Sequence, residues 1–259
     1  AANQGLPCIA MSNGVPVIAR HISSTVGTLV MKDLFFGAYG FAELPPTPQN
    51  ITGNQPIWPH IAGTANGNLV VAAAPNSTGA FNGNRTTFNG TGWSDYAEMS
   101  TISGPSGNFD VASNGNGKVS ICGVEYNNST LVMSVYSSND NGLTFDNGTA
   151  IYTYQIVGGD TLFTSLAGGY SMVYVGDVLH IALVAYNNTA TVFPNQYTVE
   201  YINPSLYHWT QASGLHLIAS KTNIPSLADT ITQVNMVPIT QPTMTVLPSG
   251  KLLCAYTVF

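Results

Sequence analysis

Apolar positions in this chain fall in short runs of strand length, and one phrase returns five times: "LPCIAMSNGVPVIAR", "WPHIAGTANGNLVVAAA", "NFDVASNGNGKVSICGVEY", "GYSMVYVGDVLHIALVAY" and "QPTMTVLPSGKLLCAYTVF". Each is an apolar strand, a glycine turn and a second apolar strand. The turn glycines are Gly14, Gly67, Gly117, Gly176 and Gly250, spaced by 53, 50, 59 and 74 residues. Asn-Gly at such a turn supplies the φ > 0 backbone that a tight hairpin requires. Between the phrases lie further runs of β-branched and aromatic alternation, "TLVMSVYSS" and "QYTVEYI". The i, i+3, i+4 spacing of a helix is nearly absent.

A strand–turn–strand unit returning about every 50 residues predicts an all-β chain: a β-propeller of four-stranded blades of about 50–60 residues, with 1–259 as a single domain. A two-sheet sandwich is the competing architecture. Four phrases have room for whole blades. The fifth reaches Phe259 after its second strand, so the last of the five repeat starts yields an incomplete blade. The few residues before the first phrase cannot supply two more strands, and "AANQGLP" reads as the start of a mature or trimmed chain. The apolar edge "LLCAYTVF" then offers open backbone donors and acceptors. Self-association through the C-terminal edge strand is the expected partnership, and a head-to-tail contact that does not close grows into a filament.

The stretch "SSNDNGLTFDNG" admits two readings. A helix–loop–helix calcium site starting at Asp140 would end on a bidentate Glu at its twelfth position, and that position is Ile151. Calcium is therefore excluded on spacing. Ser138, Asp140, Gly142, Thr144 and Phe145 spell S-x-D-x-G-x-T-F, which resembles the Asp-box of the sialidase-like (BNR-repeat) propellers. The resemblance implies a structural hairpin between the third and fourth strands of a blade. Its Asp would accept from turn amides, its Gly would hold left-handed backbone, and its aromatic would anchor the turn in the core. Elsewhere only an aromatic, Trp93 or Trp209, stands at a comparable offset from the blade glycine.

Composition narrows the function. Charged residues are 7% of the chain against 44% hydrophobic, with 13 Tyr and 10 Phe, so the chain has a core to bury. Net charge is −6. Two arginines, Arg20 and Arg85, and four lysines cannot assemble a basic surface for nucleic acid. No apolar run approaches the roughly 20 residues of a membrane helix, and no membrane insertion is expected. For a catalytic sialidase the resemblance implies a carboxylate clamp of three arginines beside a Tyr–Glu nucleophile and an Asp acid; two arginines cannot build that clamp. Other propeller glycosidases and lyases need two or three carboxylates at the inner strands. Counted back from the blade glycines, the inner column reads Pro7, His60, Asp110, Gly169 and Thr243, with one carboxylate.

The chain is accordingly read as a non-catalytic member of the superfamily. Candidate ligand contacts are His60 and Asp110 in the channel, and Trp93, Asp95 and Glu98 in "GWSDYAEM", where the indole is either a sugar platform or a blade-corner anchor. No HxH or HxxxH pair occurs, and Cys8, Cys122 and Cys254 fit no metal-ligand spacing. No metal and no cofactor is expected. The cysteines read as small buried hydrophobes, with a Cys8–Cys254 disulfide left open.

Eight acceptor sequons stand at Asn50, Asn76, Asn84, Asn89, Asn127, Asn128, Asn147 and Asn187. Asn-rich turns alone would suit hairpins. Yet Asn76, Asn127 and Asn187 each follow the second strand of a phrase and carry Ser or Thr two residues on. N-glycosylation, and hence a secreted or cell-surface location, is the expectation. Three functional classes follow: a structural or adhesive propeller that self-assembles, a lectin-like propeller that binds carbohydrate, and a glycoside hydrolase or polysaccharide lyase. The acid-poor inner strands favour the first.

Overall fold

The computed structural model describes residues 5–23, 27–37, 40–51, 53–76, 82–103, 109–127, 130–152, 155–157, 160–164, 169–187, 204–220 and 239–258. Every regular element among them is a strand, and among these described residues no helix is long and apolar enough to cross a membrane. The strand-like run at 196–202 lies outside the described residues. The chain divides into two compact units, residues 1–126 with 134–150, and residues 127–133 with 151–259.

Three antiparallel sheets in chain order build the first unit, the third reaching past its boundary. β1 (Gly5–Ser12), β2 (Val15–Ser23), β3 (Gly27–Asp33) and β4 (Phe41–Glu43) form one; β5 (Ile57–Gly63), β6 (Leu69–Ala74), β7 (Asn82–Phe88) and β8 (Ala97–Ser103) the next; β9 (Phe109–Ser113), β10 (Val119–Asn127), β11 (Thr130–Ser138) and β12 (Thr149–Tyr152) the third. In the second unit a hairpin of β13 (Gln155–Val157) and β14 (Asp160–Thr164) precedes the meander β15 (Tyr170–Val175), β16 (Val178–Asn187), β17 (Pro204–Thr210) and β18 (Gly214–Ser220). β14 and β15 pair with successive stretches of the same strand, β16. This extra hairpin accounts for the longer interval before Gly176. β19 (Ile239–Val246) and β20 (Leu252–Val258) make a two-stranded sheet.

All five phrase glycines occupy hairpin turns, between β1 and β2, β5 and β6, β9 and β10, β15 and β16, and β19 and β20, with φ of 74, 92, 93, 58 and 78°. The turns come in two lengths. Ser12 pairs with Val15 and Val175 with Val178, leaving two-residue turns. At Thr64, Asn114 and Leu247 the first turn residue instead donates its amide to the carbonyl of the fifth, at 3.0, 3.1 and 2.8 Å. Counting back from the glycine therefore misaligns the inner strands. Aligned on the last paired residue before each turn, the column becomes Ile9, His60, Asp110, Met172 and Thr243; Pro7 and Gly169 drop out of it.

Burial explains why the second strands read as continuous apolar runs. Every side chain of β6 is buried: Val70, Ala72 and Ala74 join one core with Phe109, Val119, Ile121 and Tyr136, while Leu69, Val71 and Ala73 join another with Val17, Ala19 and Val30. A strand covered on both faces cannot alternate. β5 packs against β1 on one side and β9 on the other. At the first of these approaches a Cβ on Gly63 would collide with the backbone of Met11 and Ser12, so glycine sets the spacing between the sheets. Cys122 is buried, Cys8 and Cys254 are half-buried, and all three are free thiols, so the Cys8–Cys254 disulfide is not formed.

Candidate functional site

The turn from β11 to β12 carries residues 138–145. Asp140 accepts from the Thr144 amide at 2.9 Å and the Thr144 hydroxyl at 2.6 Å, and the Ser138 hydroxyl donates to it at 2.7 Å. Burial pushes the Asp140 carboxyl up, but these donors outweigh it and hold the group below the usual carboxylate range. The Asn141 and Gly142 backbones are left-handed, at φ 61 and 80°. Gly142 is buried, and a Cβ there would collide with Val70. The turn also bonds outward: the Asn141 amide donates to Gly117 O at 2.8 Å, Asn68 Nδ2 donates to Asn141 O at 3.1 Å, and Thr87 Oγ1 donates to Gly142 O. The Arg85 guanidinium lies 4.6 Å over the Phe145 ring, which packs on the core shared by the second and third sheets. With the Asp140 carboxylate satisfied in its own turn and the Asn141 and Gly142 carbonyls accepting from the second sheet, this element staples one sheet to the next.

Trp93 does the same between the first and second sheets. Its indole Nε1 donates to Pro45 O at 2.7 Å, and its ring lies 5.2 Å from Phe88 against the core. The half-buried indole thus has its N–H engaged within the protein, as a blade-corner anchor would. Asp95 and Glu98 are exposed, with Glu98 accepting from Asn82 Nδ2 at 3.2 Å.

On the inner strands of this unit, His60 meets the Phe109 ring edge-on at 6.4 Å. Desolvation drives its pKa down to about 4, so it is a neutral, half-buried imidazole at physiological pH. Asp110 Oδ1 accepts from the Val111 amide at 2.9 Å, and Asp110 is Cys122's partner across β9 and β10. Burial, reinforced by the Asp110 charge, raises the Cys122 thiol; burial likewise raises Cys8. Neither is a ready thiolate nucleophile. Among the described residues no three His, Cys, Asp or Glu side chains form a group that could hold a metal ion.

Among the sequons, Asn84 and Asn50 are 1% and 8% exposed. Neither amide has room for a glycan in the folded chain, and both leave the candidate set. Asn89 and Asn147 are exposed and Asn76 is half-buried. Asn128 and the side chains of Asn127 and Asn187 lie outside the described residues.

Sequence reading missed a histidine row. His180 on β16, His208 on β17 and His216 on β18 share one sheet face, His208 standing opposite His216. His180 Nδ1 and His208 Nε2 are 2.8 Å apart. Burial lowers both pKa values, and for His208 the neighbouring His180 and His216 lower it further. Three residues from three strands leave no local spacing to detect; only the strand pairing brings them together.

No family model matches this chain, and no curated protein matches it. Solved structures do. An ulvan lyase, described as a new family of polysaccharide lyase, superposes with a TM-score of 0.53 at 11% identity, over 96% of this chain and 64% of its own length. A Hadza microbial sialidase gives 0.54 at 11%, covering 98% of this chain and 52% of that one. A protein of unknown function from Dyadobacter fermentans gives 0.51 at 12%, covering 98% and 74%. The chain thus spans about two thirds of the lyase and half of the sialidase. These likenesses show the fold alone: an all-β architecture of the sialidase-like propeller kind.

Proposed function

We propose that this chain is a secreted, non-catalytic propeller module with a structural or adhesive role, which assembles through the edge of β20. The observation that carries the reading is the β19–β20 sheet. Among the described residues β20 is paired to β19 alone, and its exposed positions include Leu253 at 50% and Val258 at 39%. An apolar strand paired on one side is a template for another extended segment. In the same reading, residues 138–145 are a structural Asp-box, and N-glycans on Asn76, Asn89 and Asn147 supply the solubility that the few charges do not. Support against catalysis comes from the engaged groups: Trp93 is bound to Pro45, His60 is half-buried with its basicity depressed, and the Arg85 guanidinium lies over Phe145.

Light scattering across a concentration series tests this. The expected result is a mass that rises with concentration, and that falls to the monomer in Leu253→Lys, which places a charge on the edge. A stable monomer at every concentration whose melting temperature rises with an acidic polysaccharide would replace assembly with carbohydrate binding.

A further inference from the structure

The His180–His208 contact is a hydrogen bond within a common plane, although the rings are close to parallel. Their planes differ by 20° and the centroids are 5.1 Å apart. Of that distance 2.8 Å separates the two nitrogens. The remaining span is what two imidazole radii supply only when both centroids and both nitrogens fall on one line. One N–H therefore points along that line at one lone pair.

The bond lies on the face that carries the C-terminal hairpin. Ala182 and Val184, which alternate with His180 on β16, and Leu206, two residues from His208, form a core with Ile239 and Met244 of β19 and with Cys254 and Tyr256 of β20. Val173, opposite His180, joins the same core. The Met244 amide donates to Ser171 Oγ at 3.2 Å, tying β19 to β15.

We propose that the His180–His208 pair is an acid-sensitive latch for the β19–β20 hairpin. At neutral pH the pair holds one proton between facing nitrogens. A first added proton goes to the far nitrogen of the donor ring, making an imidazolium that still donates. A second goes to the acceptor nitrogen, so that two N–H groups face each other and the bond is lost. Two like charges then stand at the margin of the hairpin's core. The other ionisable groups come from the packed strands and their turns. β18 brings His216, β20 brings Cys254, whose thiol burial raises, and Tyr256, and β19 and β15 bring none; Asp177 and Lys251 sit in the turns. Depressed basicity of both imidazoles fits this environment. Acid release of the edge strand rests on the assembly reading; the latch itself does not.

Amide hydrogen exchange of residues 239–258 in the full chain, diluted below any association and corrected for intrinsic rates, tests the latch. Opening should be faster at pH 5.0 than at pH 7.5, by about tenfold or more if both rings take up protons on opening, because groups whose basicity is depressed in the closed form protonate preferentially in the open one. In the double variant His180→Asn, His208→Asn, which keeps hydrogen-bonding amides and cannot titrate, the pH response should vanish. A response that survives in that variant, or no acceleration in the wild type, overturns the proposal. Should the variant not fold, nitrogen NMR of the wild-type imidazoles decides: two steps separated by more than about one pH unit are expected, and two independent single titrations refute it. Acid-sensitive exchange in a protein that light scattering finds monomeric would keep the latch and discard the assembly reading.

Discussion

Gly142→Ala tests whether the β11–β12 turn is a staple between sheets. The position has φ of 80°, where an L side chain costs about 1–2 kcal/mol. The new methyl would also be driven into Val70, whose side chain is fully buried in β6; overpacking of that kind costs about 1–3 kcal/mol. Together the substitution should cost about 2–5 kcal/mol, which for a domain of this size lowers the melting temperature by roughly 4–20 °C. Thermal melts by near-ultraviolet circular dichroism read this directly. The source of the cost is separable, because Val70→Ala removes the obstructing methyls. In the double variant the steric part, about 1–3 kcal/mol, should be recovered while the backbone part remains. Strict additivity of the two substitutions would show that the turn does not press on the second sheet, and an unchanged melting temperature in Gly142→Ala would refute the argument outright.

Two further outcomes follow from titrating groups. Asp140 is held below its ordinary range, so the stability it contributes is present above about pH 4 and lost as pH falls through the lower folded value; Asp140→Asn should flatten that acid limb and leave melts at pH 7 lower by about 1 kcal/mol, the low end for an exposed acceptor. His60 has the opposite chemistry: its folded pKa of about 4 lies below the 6.5 of an open imidazole, so stability falls as pH drops from 6.5 toward 4, and His60→Phe should remove that slope in melts taken across the same range.

The repeat was legible because its signals are local. A turn glycine and two apolar strands lie within twenty residues of one another, and all five phrases fold as hairpins. The Asp140 bonds to Ser138 and Thr144 are local in the same way. What depends on pairing was not legible. The inner column slipped at Pro7 and Gly169 because two-residue and five-residue turns place the glycine differently. The β13–β14 hairpin left no mark beyond a longer interval. The Trp93–Pro45 bond was not legible because the two residues are far apart in sequence, and the histidine row required β16, β17 and β18 to be aligned before it existed at all.

The two-sided burial of β6 has a consequence during synthesis. One face is covered by strands made earlier, Val17, Ala19 and Val30 among them. The other waits for Phe109, Val119, Ile121 and Tyr136. From Ala74 to Tyr136 is 62 residues, which a ribosome adding about 5–20 residues per second delivers in about 3–12 s. Through that interval a run of Val and Ala stands bare on the nascent chain, next to a ribosome-bound neighbour making the same run. Chaperone demand should therefore peak while the third sheet is being translated, and slow codons between 75 and 136 should lower soluble yield more than the same codons placed before β6.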